Sequence, residues 1–172
     1  MHGESRPLMR GSVVPKTVIG GVAKPRPMSP WDIDWSLVLS HLTHIAAAYI
    51  LALPIAWDRE KEIRGAGLRT FPLVAVASCG YVMVGLYVLS GSDAHSRILY
   101  GLMTGIGFIG GGAILKEGTG VKGTATAASI WNTGAVGAAV AWNRYEIAIV
   151  LSVMNFVTLR YFKALKDSIR ED

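Results

Sequence analysis

The stretch from Asp58 to Thr70 is the part of the chain whose residues could do chemistry at a membrane surface. It reads DREKEIRGAGLRT, holds seven charged residues, and is flanked on both sides by long uncharged apolar runs. Ionisable groups that abut apolar runs are costly and often functional. Asp58, Arg59 and Arg69 are therefore candidates to coordinate a cation, to relay a proton or to lock a helix hairpin.

The two glycines of this stretch supply a turn that would bring Arg69 back towards Asp58. We expect these two residues to pair near the headgroups, where partial desolvation strengthens attraction. Pairs spaced four apart, such as Glu60 and Arg64, stabilise an exposed helix by only a few tenths of a kcal/mol. Loss of Arg69 is therefore expected to cost more than loss of Arg64.

The rest of the chain is organised around long apolar runs, and 51% of all residues are hydrophobic. A bilayer core of roughly 30 Å requires about 20 apolar residues per helix. Five runs approach that length: Trp35–Trp57, Phe71–Ser90, Ile98–Leu115, Thr124–Trp142 and Tyr145–Phe162. We predict an all-α membrane protein, a bundle of about five transmembrane helices over residues 35–162.

The ends of the chain carry much of its basic charge. Residues 163–172 carry Lys163, Lys166 and Arg170 and are expected to form a short basic tail, although three acidic residues balance their charge. Residues 1–34 are rich in proline and charge, which predicts disorder. Lys and Arg in the first connection and the C-terminal tail favour a cytoplasmic location for both, with the N-terminus outside and the C-terminus inside. The basic residues before Met28 oppose this orientation. Either Met28 is the native start, or the other loops outweigh the tail.

Several function classes are disfavoured by what the sequence holds. The net charge of +5 fits basic cytoplasmic loops, and no basic–aromatic alternation suggests nucleic-acid binding. No recognisable catalytic constellation or paired-cysteine motif occurs, so we expect neither an enzyme nor a cofactor.

The lone Cys79 is expected to pack between helices. His41 and His44 are too few for a metal site; packing is the default for them, and an embedded proton or metal role is the alternative.

The third and fourth apolar runs are unusually rich in small residues. Residues 105–110 match GxGxxG, but no strand precedes them and no acidic residue follows at the required distance, which excludes a dinucleotide site. The GxxxG pairs Gly101/Gly105 and Gly107/Gly111 instead favour close helix packing. We expect both runs at the centre of the bundle. A helix break at residues 110–112 is the alternative. Asn132 and Thr133, at mid-depth, are expected to bond to a neighbouring helix.

Three segments together resemble the MgtC/SapB family of bacterial inner-membrane proteins: DRE…RGAGLRTFPLV at residues 58–74, GIGFIGGGAILKEG at 105–118 and VKGTATAASIW at 121–131. Asp58 stands where Glu is usual in the family, and Ala125 and Asn132 depart from its virulence-type members. The resemblance implies functional candidates at Asp58, Arg59, Arg69, Thr70, Gly105, Gly107, Gly110, Gly112, Lys122, Thr126 and Trp131.

The resemblance also implies a function. It indicates a non-enzymatic, multi-pass inner-membrane protein that modulates other membrane proteins during magnesium limitation or acid stress. Its partners would be the lipid bilayer and other membrane proteins that dock on the small-residue helices, and a homo-oligomer stays open. The alternative is a small transporter or channel for Mg²⁺ or protons.

Overall fold

The computed structural model describes residues 33–61, 66–118 and 120–171. These residues form five helices and one short hairpin: α1 (Trp35–Glu60), α2 (Thr70–Val88), α3 (Ser92–Gly112), β1 (Leu115–Glu117), β2 (Gly120–Lys122), α4 (Thr124–Ala141) and α5 (Tyr145–Glu171). The predicted all-α bundle of five helices is confirmed. The predicted tail over residues 1–34, with its alternative start at Met28, lies almost wholly outside the described residues. At the other end, α5 continues as helix to Glu171.

Three of the described helices are long and apolar enough to cross a membrane: α1, α2 and the part of α5 from Tyr145 to Phe162. The helices α3 and α4 fall short on composition, because glycine, alanine, serine and threonine replace long apolar side chains along much of their length. Which end of the bundle faces the cytoplasm stays a prediction of the charge pattern.

The first helix begins at a residue suited to that position. The carboxylate of Asp34 accepts hydrogen bonds from the hydroxyl of Ser36 at 2.6 Å and from the backbone N–H groups of Ser36 and Leu37. These bonds satisfy otherwise unpaired donors of the first turn. The Ser36 hydroxyl, followed by the two backbone donors, lowers the pKa of Asp34 below its ordinary value.

The fourth helix is the central element, and it contacts each of the four others. Its glycines make this possible. A Cβ at Gly137 would overlap the carbonyl oxygen of Ala75 on α2, and one at Gly134 would overlap the Ile106 side chain of α3. Small residues let helix backbones approach closely in a membrane. The prediction that the fourth apolar run lies at the centre is confirmed.

The third helix lies at the periphery, so the same prediction is wrong for it. It packs on α2 and α4 through one side, which buries Ile106 and Gly110. A Cβ at Gly110 would lie 3.1 Å from the carbonyl oxygen of Ala127. The other glycines of α3 have open space where a side chain would be: Gly101, Gly105, Gly107, Gly111 and Gly112. The six glycines point in different directions around α3, so they cannot all face α2 and α4.

The glycines at 110–112 end the third helix instead of bending it. The chain then enters an antiparallel hairpin in which Leu115 pairs with Lys122 and Lys116 with Val121. Gly118, at φ +60°, supplies the turn. The predicted helix to Leu115 is therefore too long by one turn. The hairpin was not predicted, because strands of three residues are too short to show alternation.

Polar side chains link the helices at mid-depth. The Nδ2 group of Asn132 on α4 donates to the carbonyl of Leu151 on α5 at 3.2 Å, as predicted. The prediction is wrong for Thr133, whose hydroxyl donates to the carbonyl of Ser129 within its own helix at 2.7 Å. Cys79 is fully buried among apolar residues of the core, in agreement with a packing role.

Candidate functional site

One end of the bundle gathers most of the predicted site residues. There α1 ends, α2 begins, α3 ends and α4 begins, because successive helices alternate in direction. A single apolar cluster joins these parts, and its members at this end include Ile55 and Ala56 of α1, Phe71 of α2, and Ala113 just after α3. Ala66 and Leu68 also pack against this cluster, so the part of the α1–α2 connection that precedes α2 lies against a packed core.

The buried pair of this site is Asp58 with Arg59. Nη2 of Arg59 donates to Oδ2 of Asp58 at 2.8 Å, and each side chain is only 8% exposed. Neighbouring residues on a helix do not face each other, so the long arginine side chain folds back to reach the carboxylate. The pair lies at the end of α1, and in it the two buried charges compensate each other.

The expected pairing of Asp58 with Arg69 is wrong. Arg69 is exposed. It occupies the N-cap position of α2, but its side chain makes no capping hydrogen bond there. The physical reason is that the Arg59 side chain is long enough to reach the carboxylate of Asp58. Arg59 meets the carboxylate from the next position in the same helix, and this requires no ordering of the intervening connection.

Glu60 holds the α1–α2 connection, a role that the sequence reasoning missed. Its Oε2 accepts from the backbone N–H of Leu68 at 2.8 Å, and a Cβ at Gly67 would overlap this carboxylate. The backbone N–H groups of Thr70 and Phe71 in turn donate to the carbonyl of Gly67. An acidic residue shortly before a glycine-rich turn was the available signal. The expected Glu60–Arg64 pair extends outside the described residues.

The start of α4 packs closely against the end of α3 at the same end of the bundle. Gly123 adopts φ +89°, and a Cβ there would overlap the carbonyl of Ala113 at the end of α3. Its own carbonyl accepts from the N–H of Ala127 at 2.8 Å. A residue with a side chain fits neither this conformation nor this space, so Gly123 belongs to the site although it was not among the predicted residues.

The remaining predicted residues are less closely grouped. Thr126 is buried at the start of α4 and Thr70 is half-buried at the start of α2, whereas Lys122 is exposed on β2. Trp131 is half-exposed, further along α4. Of the predicted glycines on α3, Gly110 is packed, whereas Gly105, Gly107 and Gly112 face outward. The structure thus brings the connection residues, Thr126 and Gly110 to one end of the bundle, whereas Gly105, Gly107 and Gly112 do not pack against another helix.

The two histidines lie away from this site. His44 has Nδ1 at 2.7 Å from the carbonyl oxygen of Ser40 and Nε2 at 3.0 Å from Oδ1 of Asn143, in the α4–α5 turn. His41 packs edge-on against Tyr87, with ring centroids 5.0 Å apart. Within the described ranges no group of three or more His, Cys, Asp or Glu residues is placed to hold a metal ion. The contacts favour the packing interpretation.

Comparisons with known proteins place these features in a family. A model of the MgtC family matches residues 45–168. The uncharacterized protein slr0014 of Synechocystis is 38% identical over 126 residues, 73% of this chain and 52% of that protein. The putative magnesium transporter YhiD of Escherichia coli K12 is 37% identical over 132 residues, 72% of this chain and 61% of that protein.

Protein MgtC of Brucella abortus is 39% identical over 103 residues, which are 60% of this chain and 43% of that protein. The chain therefore spans about half the length of these curated relatives. No solved structure matches the chain.

Proposed function

The chain is a membrane protein of the MgtC family, and from that membership and the geometry of the bundle we propose that it modulates other membrane proteins in magnesium homeostasis. The proposal places it in the bacterial inner membrane as a multi-pass protein, active during magnesium limitation or acid stress. It has no enzymatic activity in this proposal and requires no cofactor. The observation that carries the proposal is the unpacked glycine surface of α3.

That surface is here called the Gly107/Gly111 face. The two glycines lie one turn apart on α3, and a Cβ at either would meet nothing within 4 Å. Between them, Phe108 is 86% exposed. Lipid tails supply no hydrophobic drive between helices, so association in a membrane depends on close packing at small residues. The Gly107/Gly111 face therefore suits a transmembrane helix of another membrane protein.

The charged end of the bundle supports a modulator over a transporter. A nearby positive charge makes uptake of a cation by a carboxylate less favourable, and Asp58 pairs with Arg59 at 2.8 Å in a buried position. The second candidate, a small transporter or channel for Mg²⁺ or protons, rests on the name of the relative YhiD, a putative magnesium transporter. It also rests on the position of Asp58 at the end of an apolar helix.

Replacement of Gly111 by leucine is expected to abolish co-purification of the partner while the chain is still expressed. The leucine side chain would hold the partner helix away from the α3 backbone, where the close contacts form. The measurement is affinity purification of the tagged chain from its own cell membranes in mild detergent, with bound proteins quantified by mass spectrometry.

Gly80→Leu is the matched control, since Gly80 also has open space for a Cβ but lies on α2. It is expected to leave the complex intact. If the complex survives both Gly107→Leu and Gly111→Leu, the partner does not dock on the Gly107/Gly111 face.

A further inference from the structure

An apolar groove of about 660 Å³ runs between α2 and α3. It exists because Gly101 and Gly105 contribute no side chains, and both have open space where a Cβ would be. Val74 and Val84 of α2 and Ile109 of α3 form part of its apolar lining. The volume lies within the range of roughly 300–1,000 Å³ that is typical of ligand sites.

The dimensions of this α2–α3 groove favour a single hydrocarbon chain over a helix. Its lining on α2 extends from Val74 to Val88, a rise of about 21 Å at roughly 1.5 Å per residue. A helix is about 10–12 Å across with its side chains. One extended acyl chain is far thinner. It would also follow the glycine floor without disturbing either helix.

The charge in the groove is confined to one end. Arg97, on the second turn of α3, is exposed and is the charged residue of the lining. Asp93 precedes it by one helical turn, yet among the described residues neither Asp93 nor any other carboxylate forms an ion pair with it. A guanidinium presents a planar fork of donors that matches phosphate. An apolar groove with a cationic residue at one end suits an amphiphile that has an apolar chain and an anionic headgroup.

We propose that the α2–α3 groove binds one anionic phospholipid, with its phosphate on the Arg97 guanidinium and one acyl chain along Gly101 and Gly105. This site is independent of the proposed partner interface. At about 100° per residue, Gly107 lies on the opposite side of α3 from Gly105. Failure of either proposal therefore leaves the other standing.

The test is native mass spectrometry of the purified full chain after delipidation, with the number of retained lipids counted. The probes are phosphatidylglycerol and phosphatidylcholine with identical acyl chains, and glycerol phosphate without chains. We expect one phosphatidylglycerol per chain, weaker binding of phosphatidylcholine and no retention of glycerol phosphate. Arg97→Ala should weaken phosphatidylglycerol binding roughly tenfold and remove the preference over phosphatidylcholine, whereas Arg97→Lys should keep the preference.

A matched glycine pair tests the position of the acyl chain. Gly105→Leu fills the groove and should abolish retention, whereas Gly107→Leu, on the other side of the same helix, should not. Gly101→Leu replaces Gly105→Leu if circular dichroism shows that the latter does not fold. Equal retention in the Gly105 and Gly107 variants would overturn the proposal. Equal binding of the two phospholipids, or a groove occupied by a protein partner in place of lipid, would overturn it as well.

Discussion

Replacing Arg59 with alanine is expected to lower the free energy of unfolding in detergent by about 3–5 kcal/mol. The arginine donates to Asp58 at 2.8 Å, and both side chains are only 8% exposed. Without the guanidinium, the carboxylate would remain buried with its charge uncompensated, and that penalty exceeds the net value of the intact pair. The measurement is chemical denaturation in mild detergent micelles, followed by circular dichroism.

Arg69→Ala is the matched control, because it removes the same side chain from an exposed position at the same end of the bundle. Its effect should stay within about 0.5 kcal/mol, as is usual for surface substitutions. This ordering reverses the expectation from sequence, which made Arg69 the dominant basic residue of the connection. If Arg59→Ala and Arg69→Ala cost the same, the buried Asp58–Arg59 pair contributes no more to stability than an exposed arginine does.

Replacing Gly137 with alanine is expected to destabilise the bundle by about 1–3 kcal/mol or more. The added methyl would overlap the carbonyl oxygen of Ala75 and lie 3.0 Å from the Cβ of Ser78. Both obstacles belong to α2, and neither is the end of a flexible side chain. The two helices would have to separate along the contact that places α4 at the centre. Thermal unfolding in detergent measures the loss.

Gly107→Ala supplies the comparison for that prediction. It adds the same methyl to a helix glycine with open space around it. Alanine is also the better helix former, by roughly 1 kcal/mol. This variant should therefore be neutral or slightly more stable. A Gly137→Ala protein as stable as Gly107→Ala would mean that α2 and α4 are not packed at this glycine.

The helices could be predicted from sequence because each long uncharged run demands a helix that satisfies its own backbone in lipid. The central place of α4 followed from its small residues. The peripheral place of α3 did not, since GxxxG spacing states which glycines share a face but not what that face meets. Gly110 and Gly107 look alike in sequence, yet only Gly110 packs against another helix.

The sequence predicted which residues belong to the site but not which of them form an ion pair. Asp58 and Arg59 stood out because they adjoin an apolar run. Their mutual contact was not expected, because adjacent helix residues point in different directions, and the reach of an arginine side chain decided the partner. For Glu60 the sequence predicted only an exposed pair with Arg64, since the bond of Glu60 to the N–H of Leu68 depends on how the glycine turn folds.

A modulator that transports no ion fits a bundle in which the buried charge of Asp58 is already compensated by Arg59. The most direct test is purified protein in liposomes, with Mg²⁺ and proton flux followed under imposed gradients by ion-sensitive dyes. We predict no flux above that of empty liposomes, with Asp58→Asn indistinguishable from the unaltered chain. A flux of Mg²⁺ or protons that Asp58→Asn abolishes would contradict the proposed modulator function and establish the transporter in its place.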